Sequence, residues 1–226
     1  METRIKAMSQ LIFKFPFKKR YYKQDFYVSS NNFSAYKLIE SWPNWPGNWL
    51  NIFGSSGSGK THLSKILGGK INKLKKINEK NLNDEIIGEI LNIDCLIIDN
   101  FKNKTDEKLL YSILNQSKQY DKSIVINSKI SLKEINFKLN DLKSRINSFI
   151  FIGIELPTDD LLKVIISKYF SEKQIIISPK ISDFIVKNVD RSYKKMFKFI
   201  RDVDDLSLSS GKSININLIK KVLNNK

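Results

Sequence analysis

Short apolar runs alternate with polar segments along the chain as far as residue 156. Four runs have the composition of buried strands, and a weaker run lies near residues 74–77. The strong runs lie at residues 49–53, 95–100, 123–128 and 149–153. Helices are predicted at residues 32–41, 62–67, 82–91 and 105–120. Because strands that alternate with helices favour a parallel sheet covered on both faces, we expect an α/β domain with a five-stranded parallel sheet.

After Pro157 the strand pattern stops and a helical period takes over. In one segment the apolar residues recur at the spacing i, i+3, i+4 and i+7, which is typical of an amphipathic helix; they are Tyr193, Met196, Phe197, Ile200 and Val203. Two similar helices precede this segment, and a short one follows near residues 217–223. We therefore divide the chain into an N-terminal arm (1–20), an α/β domain (21–156) and a small all-helical domain (157–226).

A glycine-rich loop joins the first strong strand to the next predicted helix. Its residues fit the P-loop pattern G-x-x-x-x-G-K-[ST]: Gly54, Ser55, Ser56, Gly57, Ser58, Gly59, Lys60 and Thr61. Glycines let the backbone wrap closely around phosphates, and the helix N-terminus presents a positive dipole to them. Lys60 would reach the β- and γ-phosphates, and the Thr61 hydroxyl would bind Mg²⁺. The expected ligands are ATP or ADP with Mg²⁺.

Polar residues at the ends of later strands are further candidates. Asp99 ends a buried apolar strand, where it would hold the water shell of Mg²⁺ beside the P-loop. Asn127 or Ser128 would either position an attacking water or form an ordinary turn. Arg145 suits bidentate recognition of a phosphate, although a surface ion pair explains it equally well.

Composition narrows the classes of protein. The net charge is +16, but only five of the 39 basic residues are arginine. The charge therefore reflects either the amino-acid bias of an AT-rich genome or contact with DNA. The single cysteine excludes an internal disulfide, and the single histidine argues against a zinc site. Because no apolar run approaches the ~20 residues of a membrane span and no signal peptide is recognisable, we expect a cytoplasmic protein.

Five segments together resemble the Hda/HdaA family, which comprises AAA+ homologues of the bacterial replication initiator DnaA, particularly those of alphaproteobacteria. They are Trp42-Pro43-x-Trp45-Pro46-Gly47, Gly59-Lys60-Thr61-His62-Leu63, Asp141-Leu142-x-Ser144-Arg145, Pro157-x-Asp159-Asp160-x-Leu162 and Asp190-Arg191-Ser192-Tyr193. The similarity runs from about Ser9 to Leu208. It implies an AAA+ P-loop NTPase fold, with helices on both sides of the sheet and a small all-helical lid domain after it.

The resemblance also implies partners and roles. Four residues in the arm match a motif that docks on the DNA polymerase III sliding clamp (β subunit), whereas periodicity alone would favour an edge strand; they are Gln10, Leu11, Phe13 and Phe15. Arg145 matches an arginine finger that stimulates hydrolysis of DnaA-bound ATP, so the family prevents over-initiation of replication through regulatory inactivation of DnaA. His62 and Lys194 would join the nucleotide site, and homo-oligomerisation stays open.

Several positions depart from the family pattern. Asn100 stands where most AAA+ ATPases carry a second acid, so the chain's own hydrolysis is left open. Lys194 replaces a lid arginine, which keeps the charge but loses the bidentate geometry. Lys129 stands where initiators have an acid. Since the chain ends after the helical domain, we expect DNA binding to be indirect or weak. The alternatives are a DnaA-like or helicase-loader-like ATPase acting on DNA, or a nucleotide-holding adaptor.

Overall fold

The computed structural model describes residues 26–224. Within that range the chain forms two compact units, residues 26–156 and 157–224. The strands of the first unit are β1 (Trp49–Gly54), β2 (Leu74–Asn78), β3 (Cys95–Phe101), β4 (Ser123–Ser128) and β5 (Ile150–Ile154). Its helices are α1 (Phe33–Glu40), α2 (Lys60–Gly68), α3 (Glu85–Glu89), α4 (Glu107–Gln119) and α5 (Asn140–Ile146).

The five strands form one parallel sheet in the order β2-β3-β4-β1-β5. The predicted fold class is therefore confirmed, including the weak strand near residue 74. One predicted helix is shorter than expected, because residues 82–91 contain only α3 and the start of a 3-10 turn at Ile90–Asn92. The strand order brings the carboxyl ends of β1, β3 and β4 together at one edge of the sheet, where ligands bind in open α/β sheets.

Alternate side chains of each strand pack into different cores, one on each face of the sheet. In β3, Leu96 and Ile98 belong to a core that includes residues of α3, α4 and α5. Cys95 and Ile97 belong to the opposite core, which includes residues of α1 and α2. Burial of the Cys95 thiol raises its pKa to about 12. The helix that follows the P-loop and the helix that carries Arg145 thus lie on opposite faces of the sheet.

The second unit is a helical bundle around its own core. Its helices are α6 (Asp159–Ser171), α7 (Pro179–Asn188), α8 (Tyr193–Ser210) and α9 (Ile216–Asn224). Local sequence fixes their ends: the Thr158 hydroxyl accepts from the Leu161 N–H at the start of α6, Pro179 is the first residue of α7, and Gly211 ends α8 with φ of 63°. Between residues 26 and 224, no helix combines the length and apolar character required to cross a membrane.

Candidate nucleotide-binding site

The loop between β1 and α2 has the conformation that its glycines allow. Gly54, Gly57 and Gly59 have φ values of 151°, 88° and 97°, which residues other than glycine rarely adopt. A Cβ on Gly54 would lie 2.6 Å from the carbonyl oxygen of Ile154, and one on Gly59 would lie 2.9 Å from the ring of Phe26. At Gly54 and Gly59 the backbone therefore approaches its surroundings too closely for a side chain.

Lys60 lies across this loop at the first residue of α2. Its Nζ donates to the carbonyl oxygens of Gly54 at 2.7 Å and Ser55 at 2.8 Å, and to the Ser58 hydroxyl at 3.3 Å. Burial lowers the pKa of Lys60 from 10.5 to about 8, against the raising effect of Asp99 and with a further lowering from Lys129. Ser55 Oγ is buried without a hydrogen-bond partner among residues 26–224. A polar cradle with an unpaired hydroxyl is suited to phosphate oxygens.

Asp99 lies at the carboxyl end of β3 and is nearly buried. The Thr61 hydroxyl donates to its Oδ2 at 3.1 Å, and Nζ of Lys76 lies 2.9 Å from the same oxygen. Asn127 donates to Oδ1 at 3.3 Å. Burial alone would raise the pKa of Asp99, but the hydrogen bond and charge of Lys76 and the hydrogen bonds from Asn127 and Thr61 hold it below its usual value. Asp99 is therefore a carboxylate held in its charged form.

Asn127 and Ser128, at the end of β4, point to different partners. Asn127 is fully buried; its Nδ2 also donates to Ser64 Oγ of α2 at 2.7 Å, and its Oδ1 has no partner among the described residues. Ser128 Oγ instead donates to the Ile130 carbonyl at 2.5 Å and accepts from Asn51 at 2.9 Å. The structure thus brings Asn127, but not Ser128, to the carboxylate of Asp99.

Three residues of this region were missed in the sequence. Lys76 on β2 pairs with Asp99, as described above. Asn51, fully buried in β1, donates to the Ile126 carbonyl at 2.9 Å, and its Oδ1 accepts from the N–H of Leu132 at 3.0 Å. Glu79, after β2, is 4% exposed and accepts backbone N–H bonds from the segment that follows β3. A polar residue inside an apolar strand was a usable signal for Asn51; neither of the others has a local signal.

Arg145 lies on α5, away from the P-loop. Leu142 and Ile146 anchor α5 in the core on the face opposite α2. The Arg145 Nε donates to Asn115 Oδ1 of α4 at 2.8 Å, whereas its terminal nitrogens make no hydrogen bond or ion pair within residues 26–224. Since α4 runs antiparallel to the strands, Asn115 in its second half lies toward the amino edge of the sheet. The structure does not bring Arg145 together with Lys60, Thr61 and Asp99.

The remaining predicted residues are spread over other parts of the chain. His62 is half-buried in the first turn of α2, with its ring centroid 5.2 Å from that of Phe26. Lys194 is exposed in the first turn of α8, in the helical unit. The clamp-docking residues lie outside the described residues; they are Gln10, Leu11, Phe13 and Phe15.

The residues present fit the phosphates of a nucleotide better than they fit a metal ion. For the phosphates, the loop supplies its glycine-rich backbone, Lys60 and the unpaired Ser55 hydroxyl. For a metal ion, the neighbouring oxygens of Thr61 and Asp99 would be the ligands, but Lys76 already neutralises Asp99. Over residues 26–224, no three His, Cys, Asp or Glu side chains cluster as metal ligands.

Comparison with known proteins agrees with this fold. No family model matches the chain. Among curated proteins it is 27% identical over 233 residues to the chromosomal replication initiator protein DnaA of Buchnera aphidicola subsp. Cinara cedri, covering 91% of this chain and 53% of that protein. It is 26% identical over 252 residues to DnaA of Borrelia garinii subsp. bavariensis, covering 97% and 51%. The chain thus spans about half the length of the curated relatives it matches.

Solved structures give the same result for the fold. Domain III of Thermotoga maritima DnaA matches with a TM-score of 0.76 at 21% identity, over 93% of this chain and 98% of that chain. AMPPCP-bound DnaA from Aquifex aeolicus matches with a TM-score of 0.68 at 21% identity, over 84% and 67%. The Thermotoga maritima branch-migration motor RuvB gives 0.61 at 20% identity, over 79% and 61%. The fold is that of an AAA+ protein. In sequence, the chain is similar to DnaA proteins at 26–27% identity.

Proposed function

We propose that this chain binds ATP or ADP in its P-loop and regulates replication initiation by supplying Arg145 to the nucleotide site of a DnaA molecule. The observation that carries the proposal is the position of Arg145 on the face of the sheet opposite α2. An arginine there lies on the other face of the sheet from the helix that follows the phosphate loop, and its half-buried side chain has terminal nitrogens with no hydrogen bond among residues 26–224. The assignment to the Hda type rests on this position together with the resemblance of the surrounding segments.

Arg145 is held in the way that a catalytic arginine requires. The Asn115 hydrogen bond fixes Nε, and the flanking Leu142 and Ile146 fix the helix, so the guanidinium is oriented before a partner arrives. Its two terminal nitrogens can then contact a transferring phosphoryl group in a bidentate manner. In GTPases an arginine supplied in this way accelerates hydrolysis by about 10³–10⁵-fold. Preorganisation of this kind lowers the cost of ordering the side chain in the complex.

The chain's own nucleotide site supports holding rather than turnover. Lys60 and the loop backbone would bind the phosphates. Thr61 and Asp99 are the residues that would hold a Mg²⁺ ion, but Lys76 already pairs with the Asp99 carboxylate. Asn100, which follows Asp99, has φ of 58° and supplies an amide where a general base would need a carboxylate. We therefore infer that the chain retains bound nucleotide rather than hydrolysing it.

We further propose that Gln10, Leu11, Phe13 and Phe15 dock on the sliding clamp in the cytoplasm. A short peptide with alternating apolar side chains is suited to a partner's groove. Docking would concentrate the regulator where DNA has been replicated.

A second candidate function is that of a DnaA-like ATPase acting directly on DNA. The curated relatives are DnaA proteins, and one structural neighbour is DnaA bound to AMPPCP and single-stranded DNA, with a TM-score of 0.68 at 20% identity. The net charge of +16 is compatible with such contacts. This candidate requires tight DNA binding that weakens steeply as salt increases.

The deciding experiment measures hydrolysis of DnaA-bound ATP in the presence of DNA-loaded clamp, with and without this protein. Wild type should stimulate hydrolysis, and Arg145→Ala should abolish the stimulation while nucleotide binding stays intact. Lys143→Ala is the matched control, because Lys143 is an exposed cation on the same helix. The double variant Gln10→Ala/Leu11→Ala should lose stimulation in reactions that depend on the clamp. In reactions without the clamp it should behave as the wild type does.

Two results would count against the regulator. Stimulation that survives in Arg145→Ala would remove the arginine from the mechanism. No stimulation by wild type, combined with DNA binding that has a steep salt dependence, would favour the second candidate.

A further inference from the structure

An ammonium group lies at the acid of the nucleotide site. β2 and β3 are parallel, with Lys76 opposite Ile97 and Asn78 opposite Asp99. Residues two apart in a strand share a face, so Lys76 and Asp99 are diagonal neighbours on the α2 face of the sheet. The Lys76 Nζ lies 2.9 Å from Asp99 Oδ2, and the two side chains are 29% and 10% exposed. The backbone register therefore sets this pair, since it fixes which side chains can meet.

The oxygen contacted by Lys76 is the one nearest the P-loop. Asp99 Oδ2 also accepts the hydrogen bond from the Thr61 hydroxyl at 3.1 Å. The Thr61 hydroxyl and this carboxylate form the pair between which a P-loop protein carries its magnesium ion. The Lys76 ammonium thus neutralises the carboxylate on the side where a divalent cation would bind.

Nearby charges also disfavour a divalent cation. The Lys60 ammonium lies over the P-loop, where it donates to the carbonyl oxygens of Gly54 and Ser55. The residue after Asp99 is Asn100, so this part of β3 carries one carboxylate rather than two. Two lysines and one acid, Lys60, Lys76 and Asp99, attract nucleotide phosphates but repel a dication.

We infer that Lys76 is the resident cation of this site, so that nucleotide binding depends little on Mg²⁺, and Mg²⁺ must displace Lys76 to reach Asp99. This inference rests on the proposed binding of ATP or ADP. It assigns Lys76 a positioning role: it holds Asp99 and supplies positive charge near the phosphates. A merely structural ion pair would stabilise the fold without changing how nucleotide affinity depends on metal.

The test compares nucleotide affinities of the full chain in excess MgCl₂ and in excess EDTA. Binding of ADP and AMPPCP is measured by calorimetry for wild type, Lys76→Ala and Lys76→Arg. Lys75→Ala is the matched control. It removes a lysine from the preceding position of β2, where the side chain pairs with Glu89 and not with Asp99. A Mn²⁺ titration followed by electron paramagnetic resonance gives metal affinity directly.

For wild type, Lys75→Ala and Lys76→Arg, the dissociation constants in EDTA and MgCl₂ should differ by less than about threefold. For Lys76→Ala the dissociation constant in EDTA should be about tenfold or more larger than the one in MgCl₂. Mn²⁺ should bind to this variant more tightly than to the wild type. The inference is overturned if Lys76→Ala and wild type show the same ratio, whatever its size. If wild type binds no nucleotide in either buffer, the proposed nucleotide site fails, and the inference fails with it.

Discussion

Replacing Glu79 should loosen the segment that follows Asp99. Glu79 is 4% exposed and lies in a 3-10 turn after β2. Its Oε2 accepts from the N–H of Lys102 at 2.8 Å, and its Oε1 accepts from Lys104 at 2.7 Å and Thr105 at 3.4 Å. One buried carboxylate thus satisfies the backbone of the segment between β3 and α4. Glu79→Ala removes all of these acceptors at once.

The magnitude follows from the two short bonds. A hydrogen bond to a charged group contributes about 1.5–3 kcal/mol, and a buried donor left unpaired costs a similar amount. Water that enters the space of the removed side chain offsets part of this loss. We therefore expect Glu79→Ala to lower the free energy of unfolding by about 3 kcal/mol. Glu79→Gln should cost about half as much, because an amide keeps one acceptor but turns a donor toward a backbone N–H.

Glu107 provides a matched control within the same unit. Its carboxylate also accepts from two backbone groups, the N–H of Lys138 at 2.8 Å and of Leu139 at 2.7 Å, but it is only half-buried. Water can replace the lost acceptor there, so Glu107→Ala should cost about 1 kcal/mol or less. Each carboxylate accepts short hydrogen bonds from two backbone N–H groups, so the two variants compare the loss of such bonds at different burial.

The assay is urea unfolding followed by tryptophan fluorescence. All three tryptophans, Trp42, Trp45 and Trp49, belong to the α/β unit, so the signal reports on that unit alone. Amide hydrogen exchange at Lys102 and Lys104 should rise in Glu79→Ala but not in Glu107→Ala. Equal destabilisation by the two alanine variants, or unchanged exchange at Lys102 and Lys104, would refute the reasoning.

Two further predictions concern Lys60, and a third compares substitutions at two glycines. Because phosphate binding needs the protonated ammonium of Lys60, whose pKa is lowered to about 8, nucleotide affinity should fall by up to about tenfold per pH unit above pH 8, and calorimetry across pH checks this. Between pH 8 and pH 10.5, Lys60 is more protonated in the unfolded chain than in the folded protein. The free energy of unfolding of the nucleotide-free protein should therefore increase with pH across this range, and Lys60→Met should abolish the increase. Gly59→Ala should weaken nucleotide binding about tenfold, since φ is 97° and the new Cβ would meet Phe26. Gly211→Ala has φ of 63° in open space, so it should cost about 1 kcal/mol of stability and leave nucleotide affinity unchanged.

Local patterns were enough to predict the sheet and the phosphate loop. Buried parallel strands are continuous apolar runs, and the loop glycines are required by backbone conformation, so both leave a signal within a few residues. Asp99 was predicted as a site residue because it directly follows the apolar residues of β3. The weakest strand, β2, was predicted only as a weak run near residues 74–77, and it lies at an edge of the sheet.

Contacts that depend on register could not be predicted in this way. The pairing of Lys76 with Asp99 exists because β2 and β3 align Asn78 with Asp99, and a shift of one residue would turn Lys76 to the other face. In a chain with 39 basic residues, nothing local marks this lysine among the others. The choice between Asn127 and Ser128 likewise required the packing of α2 against β4.

The two proposals lead to one division of labour between molecules. A site with a resident lysine and an amide in place of the second acid is suited to retaining nucleotide, because neither a tightly held Mg²⁺ nor a general base is provided. An arginine on the opposite face of the sheet is suited to completing a site that does possess both. Nucleotide binding and hydrolysis would then belong to different chains, and the partner's ATP, rather than the chain's own, would be consumed. On this basis Lys76→Ala should alter the metal dependence of nucleotide binding without removing the stimulation that depends on Arg145.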